Sequence, residues 1–276
     1  MLIGHPKLVR DFKKLADGRR LSQGYVFFGP PRVGKGTFAR SLGNYLETKD
    51  FEPSASGILG DLLVIEPVEG SIGINPVREI KNFLWQRPNR SPYRTLIIDG
   101  AADLTDEAQN ALLKIAEEPP ASSLILVVLD DPERLRPTLQ SRFQKICFPP
   151  VEEKEIAEWL KKEKDIPAEK AKKAAAQSLG QPGLAYALLA DEKLEKLLGD
   201  AKKFLASPAA SRGTFVKSLL EDESFSLYEF LGAVLVVLAP TVHPAELWHA
   251  ACELRRQASY FNLNPRLQLL ALAQKL

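Results

Sequence analysis

Short apolar runs and amphipathic stretches alternate along the first half of this chain. Residues 7–16 put Leu8, Phe12 and Leu15 on one side of a helix, which Asp17 and Gly18 end. Apolar runs follow at 25–28, 61–65, 95–99, 124–129 and 145–148. Continuous apolar runs this short are predicted as strands buried on both faces of a parallel sheet. Helical patterns fall between them. One runs on from Phe38, one through Val77, Ile80, Phe83 and Leu84 after Asn75-Pro76, and one through Ala108, Ala111, Leu112 and Ile115 after a Thr105 cap. Glu118-Pro119-Pro120 stops the last, because proline removes a donor and restricts the residue before it. The alternation predicts an α/β, three-layer domain with a parallel sheet.

The pattern changes at Pro149-Pro150, beyond which no strand pattern occurs. Residues 152–162, 168–179 and 183–189 read as short helices. Helical periodicity continues from Asp191, broken at Ser207-Pro208, Pro240 and Asn264-Pro265. The boundaries predicted are 1–150, 151–191 and 192–276, the last two all-helical. The longest apolar run, 231–239, is too short to span a bilayer.

Composition narrows the function without naming it. The 276 residues carry 37 basic and 35 acidic side chains, a net charge of +2, so any nucleic-acid contact must be a local patch. Lys161, Lys162, Lys164, Lys172 and Lys173 read as solvated helix faces. Cys147 and Cys252 read as buried thiols in a reducing compartment. His5, His243 and His249 are too scattered for a metal cluster, and the last two read as capping or packing residues. The N-terminus has no signal-peptide pattern, and a cytoplasmic protein with no membrane partner is predicted.

The chemistry lies where the first strand meets its helix. After the run 25–28 come Gly29, Pro30, Pro31, Arg32, Val33, Gly34, Lys35, Gly36 and Thr37. A strand, a Gly-rich turn and a helix with a lysine at its start form a P-loop, which binds ATP phosphates through inward N–H groups. Lys35 is placed to reach the outer phosphates. The Ser or Thr expected after it is replaced by Gly36, which makes Thr37 and, at the end of the strand 95–99, Asp99 the candidate magnesium contacts. A water-polarising acid is expected beside that Asp, but Gly100 stands there. Asp103 is close in sequence, but it starts a turn and is expected to point elsewhere. The chain is predicted to bind ATP without an evident means of cleaving it.

Several segments carry a family resemblance. Residues 110–120, from Asn110 through Glu117-Glu118-Pro119-Pro120, resemble the helix-and-stop motif of bacterial DNA polymerase III clamp-loader subunits. Ile3-Gly4-His5 and residues 20–27 resemble their N-terminal segment. Leu139-Gln140-Ser141-Arg142-Phe143 resembles their Ser-Arg-Cys motif, and residues 262–267 their final collar helix. The resemblance implies a P-loop AAA+ domain, a small helical lid and an all-α collar used for oligomerisation. Within the family, Gly100, Leu184 at the lid's arginine position and Asp130 at a polar sensor position resemble the delta-prime subunits rather than the ATPase subunits. The resemblance then implies a part of the DNA-directed DNA polymerase holoenzyme that hydrolyses no ATP and offers Arg142 in trans to a neighbour. The implied partners are the ATPase subunits and a delta-like subunit in a hetero-pentamer, the sliding clamp and, through the assembly, primed DNA. Most relatives carry a four-cysteine zinc module near 46–60, where this chain has no cysteine, so no zinc is expected. Three rival readings stand: an active gamma/tau-like ATPase, a nucleoside monophosphate kinase, whose P-loop also has Gly-Thr after the lysine, and an AAA+ scaffold for a different partner.

Overall fold

A computed structural model describes residues 2–52, 59–222, 225–239, 245–261 and 263–276, the side chains of Arg78 and Ser259 excepted. His243, Pro240, Asn262 and the middle of the cysteine-free segment lie outside the described residues. The chain divides into two compact units, Met1–Glu155 and Ile156–Leu276.

The first unit is a five-stranded sheet, β1 (Gly24–Phe28), β2 (Leu62–Ile65), β3 (Arg94–Asp99), β4 (Ser123–Val128) and β5 (Gln144–Cys147), in the order β2-β3-β4-β1-β5. Every neighbouring pair is parallel. Its carboxyl ends therefore share one edge, where ligands bind in open α/β sheets. Helices cover both faces. Along β1 the side chains alternate. Tyr25 and Phe27 stack with Phe12 of α1 (Pro6–Asp17) and Phe27 also with Phe38 of α2 (Lys35–Thr48), ring centroids 5.1–5.6 Å apart. Val26 joins the opposite core, with Val77 and Ile80 of α3 (Ile74–Leu84) and Leu112 and Ile115 of α4 (Asp106–Glu117). The α/β three-layer reading holds, and Thr105 Oγ1 caps α4 by accepting from Ala108 N at 3.2 Å.

Two details differ from the sequence reading. A one-turn helix, α5 (Pro137–Gln140), precedes the Ser-Arg motif unannounced. Cys147 is exposed and Cys252 half-buried, not both buried. For Cys147 the reason is β5, an edge strand whose outer residues face solvent.

The second unit is helical: α6 (Glu153–Glu163, which begins in the first unit), α7 (Ala168–Gln177), α8 (Pro182–Ala190), α9 (Glu192–Ala206), α10 (Ala209–Leu219), α11 (Leu227–Leu238), α12 (Ala245–Tyr260) and α13 (Pro265–Ala273). The long apolar run lies in α11, which is buried at eight positions, seven of them within a core shared with α9, α12 and α13. No helix among the described residues is long and apolar enough to cross a membrane.

Asp61 pins the entry to β3. Its buried carboxylate accepts from the backbone N–H groups of Asn89, Arg90 and Ser91 at 2.6–2.9 Å and pairs with Arg94 at 3.2 Å. Burial by itself raises this carboxyl, but the three N–H donors and Arg94 outweigh it and hold the pKa below the ordinary aspartate value. Asp61→Asn is expected to cost the first unit about 3 kcal/mol in urea unfolding at neutral pH, because Arg94 and three donors lose their charge partner. A depressed folded pKa stabilises above the unfolded value and loses that contribution as pH falls. The gap between natural chain and variant should therefore be full above about pH 4 and close below it.

Candidate functional site

The turn after β1 is shaped by close approach. Gly29 has φ +138°, and a Cβ on it would lie 2.3 Å from the Phe148 carbonyl oxygen, so no other residue fits. Arg32 and Gly34 also have positive φ, 56° and 107°. Helix α2 starts at Lys35 with no side-chain cap and no acidic residue in its first turn. Its free N–H groups and positive end suit an anion. The His5 ring donates from Nε2 to the Val33 carbonyl oxygen at 3.1 Å and so ties the N-terminal segment to the turn. Burial lowers the His5 pKa against the opposing effect of that hydrogen bond.

Lys35 is almost fully buried. Its ammonium donates to the carbonyl oxygens of Gly29 and Pro30 at 2.9 and 2.6 Å, and to Asp130 Oδ1 at 2.9 Å. Asp130 follows β4, beside β1, so the carboxylate at the polar sensor position is paired with the lysine expected to reach the outer phosphates.

Magnesium does not fit the residues predicted for it. Asp99 Oδ2 accepts from Arg40 Nη1 at 2.5 Å, and Arg40 Nη2 donates to Glu66 Oε1 at 2.5 Å. A Cβ on Gly36 would lie 2.4 Å from Asp99 Oδ2 and 3.0 Å from Arg40 Nη1. The position that normally supplies a hydroxyl is thus filled by an ion pair, and Thr37 is exposed on α2. A guanidinium already holds the metal's carboxylate. Arg40 and Glu66 were invisible to sequence reasoning, although Arg40 lies one helical turn after Gly36.

Gly100 likewise leaves no room for an acid. Its φ is +85°, and a Cβ there would lie 2.8 Å from Pro67 Cγ. Asp103 does not point away, however. Its Oδ2 lies 3.7 Å from where a side chain at position 100 would begin. Burial raises its pKa, and Asp130 adds to the shift while Arg134 opposes it. Leu184, which the family resemblance sets where an arginine is expected, is buried within α8 of the helical unit.

Arg142 occupies the other edge of the sheet. It precedes β5, and Phe143 beside it is buried against the start of β1, with its ring 2.1 Å from where a Cβ on Gly24 would be. Arg142 N donates to the Leu139 carbonyl oxygen at 3.1 Å, closing the turn from α5. With Phe143 turned in, the Arg142 side chain turns out: it is 49% exposed, and Nη2 lies 3.7 Å from Glu117 Oε1 at the end of α4. Because all strands are parallel, Arg142 sits at their amino ends, while Lys35, Asp99 and Asp130 sit at their carboxyl ends. The length of β1, about 13 Å at roughly 3.3 Å per residue, separates the two groups.

A family model described as DNA polymerase III, delta subunit, matches residues 4–152. DNA polymerase III subunit delta' of Escherichia coli (strain K12) is 29% identical over 201 residues, which is 67% of this chain and 60% of that protein. Subunit delta' of Haemophilus influenzae is 32% identical over 142 residues, 51% of this chain and 43% of that protein. Subunit gamma/tau of Mycobacterium tuberculosis (strain H37Rv) is 30% identical over 155 residues, 51% of this chain and 27% of that protein. The chain thus spans less than two thirds of the length of these curated relatives. In fold it is similar to a DNA polymerase III gamma-subunit-related protein from Thermotoga maritima, with TM-score 0.54, 20% identity and coverage of 95% of this chain and 97% of that one. It is also similar to the Thermotoga maritima RuvB Holliday junction branch migration motor, with TM-score 0.50, 16% identity and coverage of 91% and 82%. At those identities the structural likeness speaks to the AAA+ fold alone. The family match covers more than half of the chain, and the chain belongs to the bacterial DNA polymerase III delta-subunit family, in its delta-prime type.

Proposed function

We propose that this chain is a delta-prime-like subunit of the cytoplasmic clamp loader, that it hydrolyses no ATP itself, and that it supplies Arg142 to the nucleotide site of a neighbouring ATPase subunit. The partners in this reading are ATPase subunits and a delta-like subunit in a hetero-pentamer, the sliding clamp and primed DNA. Residues 151–191 act as its lid and 192–276 as its collar.

One observation carries the proposal. Arg142 stands exposed at the edge of the sheet opposite the chain's own P-loop, so its charge is of use to another subunit's nucleotide. A guanidinium placed against a transferring phosphoryl group offsets the charge that develops there, an effect worth roughly 10³-fold or more. The chain's own P-loop supports the same reading from the other side. Lys35 is paired with Asp130, Asp99 is held by Arg40, and Gly100 admits no acid.

Asp103 favours a second reading, an active ATPase in which this shifted carboxyl stands in for the missing acid. Two experiments decide. The first mixes the chain with the loader ATPase and delta-like subunits of its own organism, the clamp and primed DNA. The natural chain should raise ATP turnover. Arg142→Ala should assemble equally well but slow the site it faces by roughly 10³-fold. Equal stimulation by both versions would sink the trans role. The second measures turnover by the isolated chain, which should stay at background. Turnover that disappears in both Lys35→Ala and Asp103→Asn would establish the active-ATPase reading instead.

A further inference from the structure

We propose that Arg40 is a resident cation that closes the divalent-metal position of this P-loop site, and that Asp99 and Glu66 form a masked metal site beneath it. The inference rests on reading residues 29–37 as a P-loop, and it adds a reason why a metal is shut out.

The strand register brings the two carboxylates together. In the β2–β3 pairing Ile65 lies opposite Ile98, so Glu66 follows opposite Asp99 at the carboxyl edge. Two facing carboxylates beside a P-loop are the oxygen donor set that a hard divalent cation seeks. A single guanidinium spans them, one nitrogen to each, both at 2.5 Å. The planar fork suits this bridge, because it presents a separate nitrogen to each carboxylate where an ammonium has only one. The Arg40 side chain is 32% exposed, that of Asp99 26% and that of Glu66 62%, so the Arg40–Asp99 half of the bridge is the more withdrawn from water.

Gly36 makes the bridge sterically feasible. It lies one turn before Arg40 on the same helix face, and its missing Cβ leaves the space in which Asp99 Oδ2 and Arg40 Nη1 meet. A serine or threonine there would displace both. The absent hydroxyl and the present arginine are thus one structural solution rather than two separate losses.

The test is Mn²⁺ binding to the full chain without nucleotide, read from the loss of the free-ion paramagnetic resonance signal. The natural chain should titrate like Asp99→Asn, with no saturable site. Arg40→Gln should gain a single saturable Mn²⁺ site, tighter than any binding by the natural chain by about tenfold or more. Adding Asp99→Asn to Arg40→Gln should remove it. Arg40→Lys, which keeps the charge but loses the fork, should fall between the two and serves if the glutamine variant fails to fold. A saturable site in the natural chain that Asp99→Asn abolishes would overturn the proposal. So would a folded Arg40→Gln or Arg40→Lys that binds Mn²⁺ no better than the natural chain. Neither result bears on Arg142, whose test is turnover in the reconstituted assembly.

Discussion

Charge pairing at the carboxyl edge of the sheet constrains everything else at this site. The strand order brings the ends of β1, β2, β3 and β4 side by side. Carboxylates from three of those ends, Glu66, Asp99 and Asp130, meet two cations from the start of α2, Lys35 and Arg40. Like charges this close are tolerated only when interleaved with opposite ones. In a working P-loop ATPase, a metal and a nucleotide complete that balance. Here side chains complete it. Gly29 and Gly34 make the turn, Lys35 bonds the carbonyl oxygens of Gly29 and Pro30, and its ammonium is paired with Asp130.

The same sheet keeps the turn after β1 apart from the segment around Arg142. A parallel sheet has two unlike edges. The turn after β1, the Asp99 strand end and Asp130 share one. The short helix α5, the turn after it and Arg142 share the other. Burial of Phe143 against Gly24 fixes that turn, and since neighbouring residues in an extended chain face opposite ways, Arg142 projects outward. The residue at the cysteine position of the Ser-Arg-Cys motif thus contributes by packing.

Much of this was legible from residue order. The apolar runs located all five strands, and the glycine spacing with Lys35 located the turn. Asp99 was found because a carboxylate ended a buried strand. Arg40 and Glu66 were not found, because their roles come from strand register and from a space that only an absent Cβ reveals. Asp103 was misjudged, since sequence distance does not show that a one-turn helical segment folds it back beside Gly100. Cys147 was misjudged for a different reason. An apolar run predicts a strand but not whether that strand lies at the edge of its sheet.

Arg142 working in another subunit's nucleotide site would lie within reach of that nucleotide's γ-phosphate. The most direct measurement is photoaffinity labelling of the reconstituted assembly with ATP that carries a photoreactive group on its γ-phosphate, followed by mapping of the labelled peptides. Label is expected on this chain at the turn containing Ser141, Arg142 and Phe143. Label on its own P-loop peptide, with none at that turn, would contradict it.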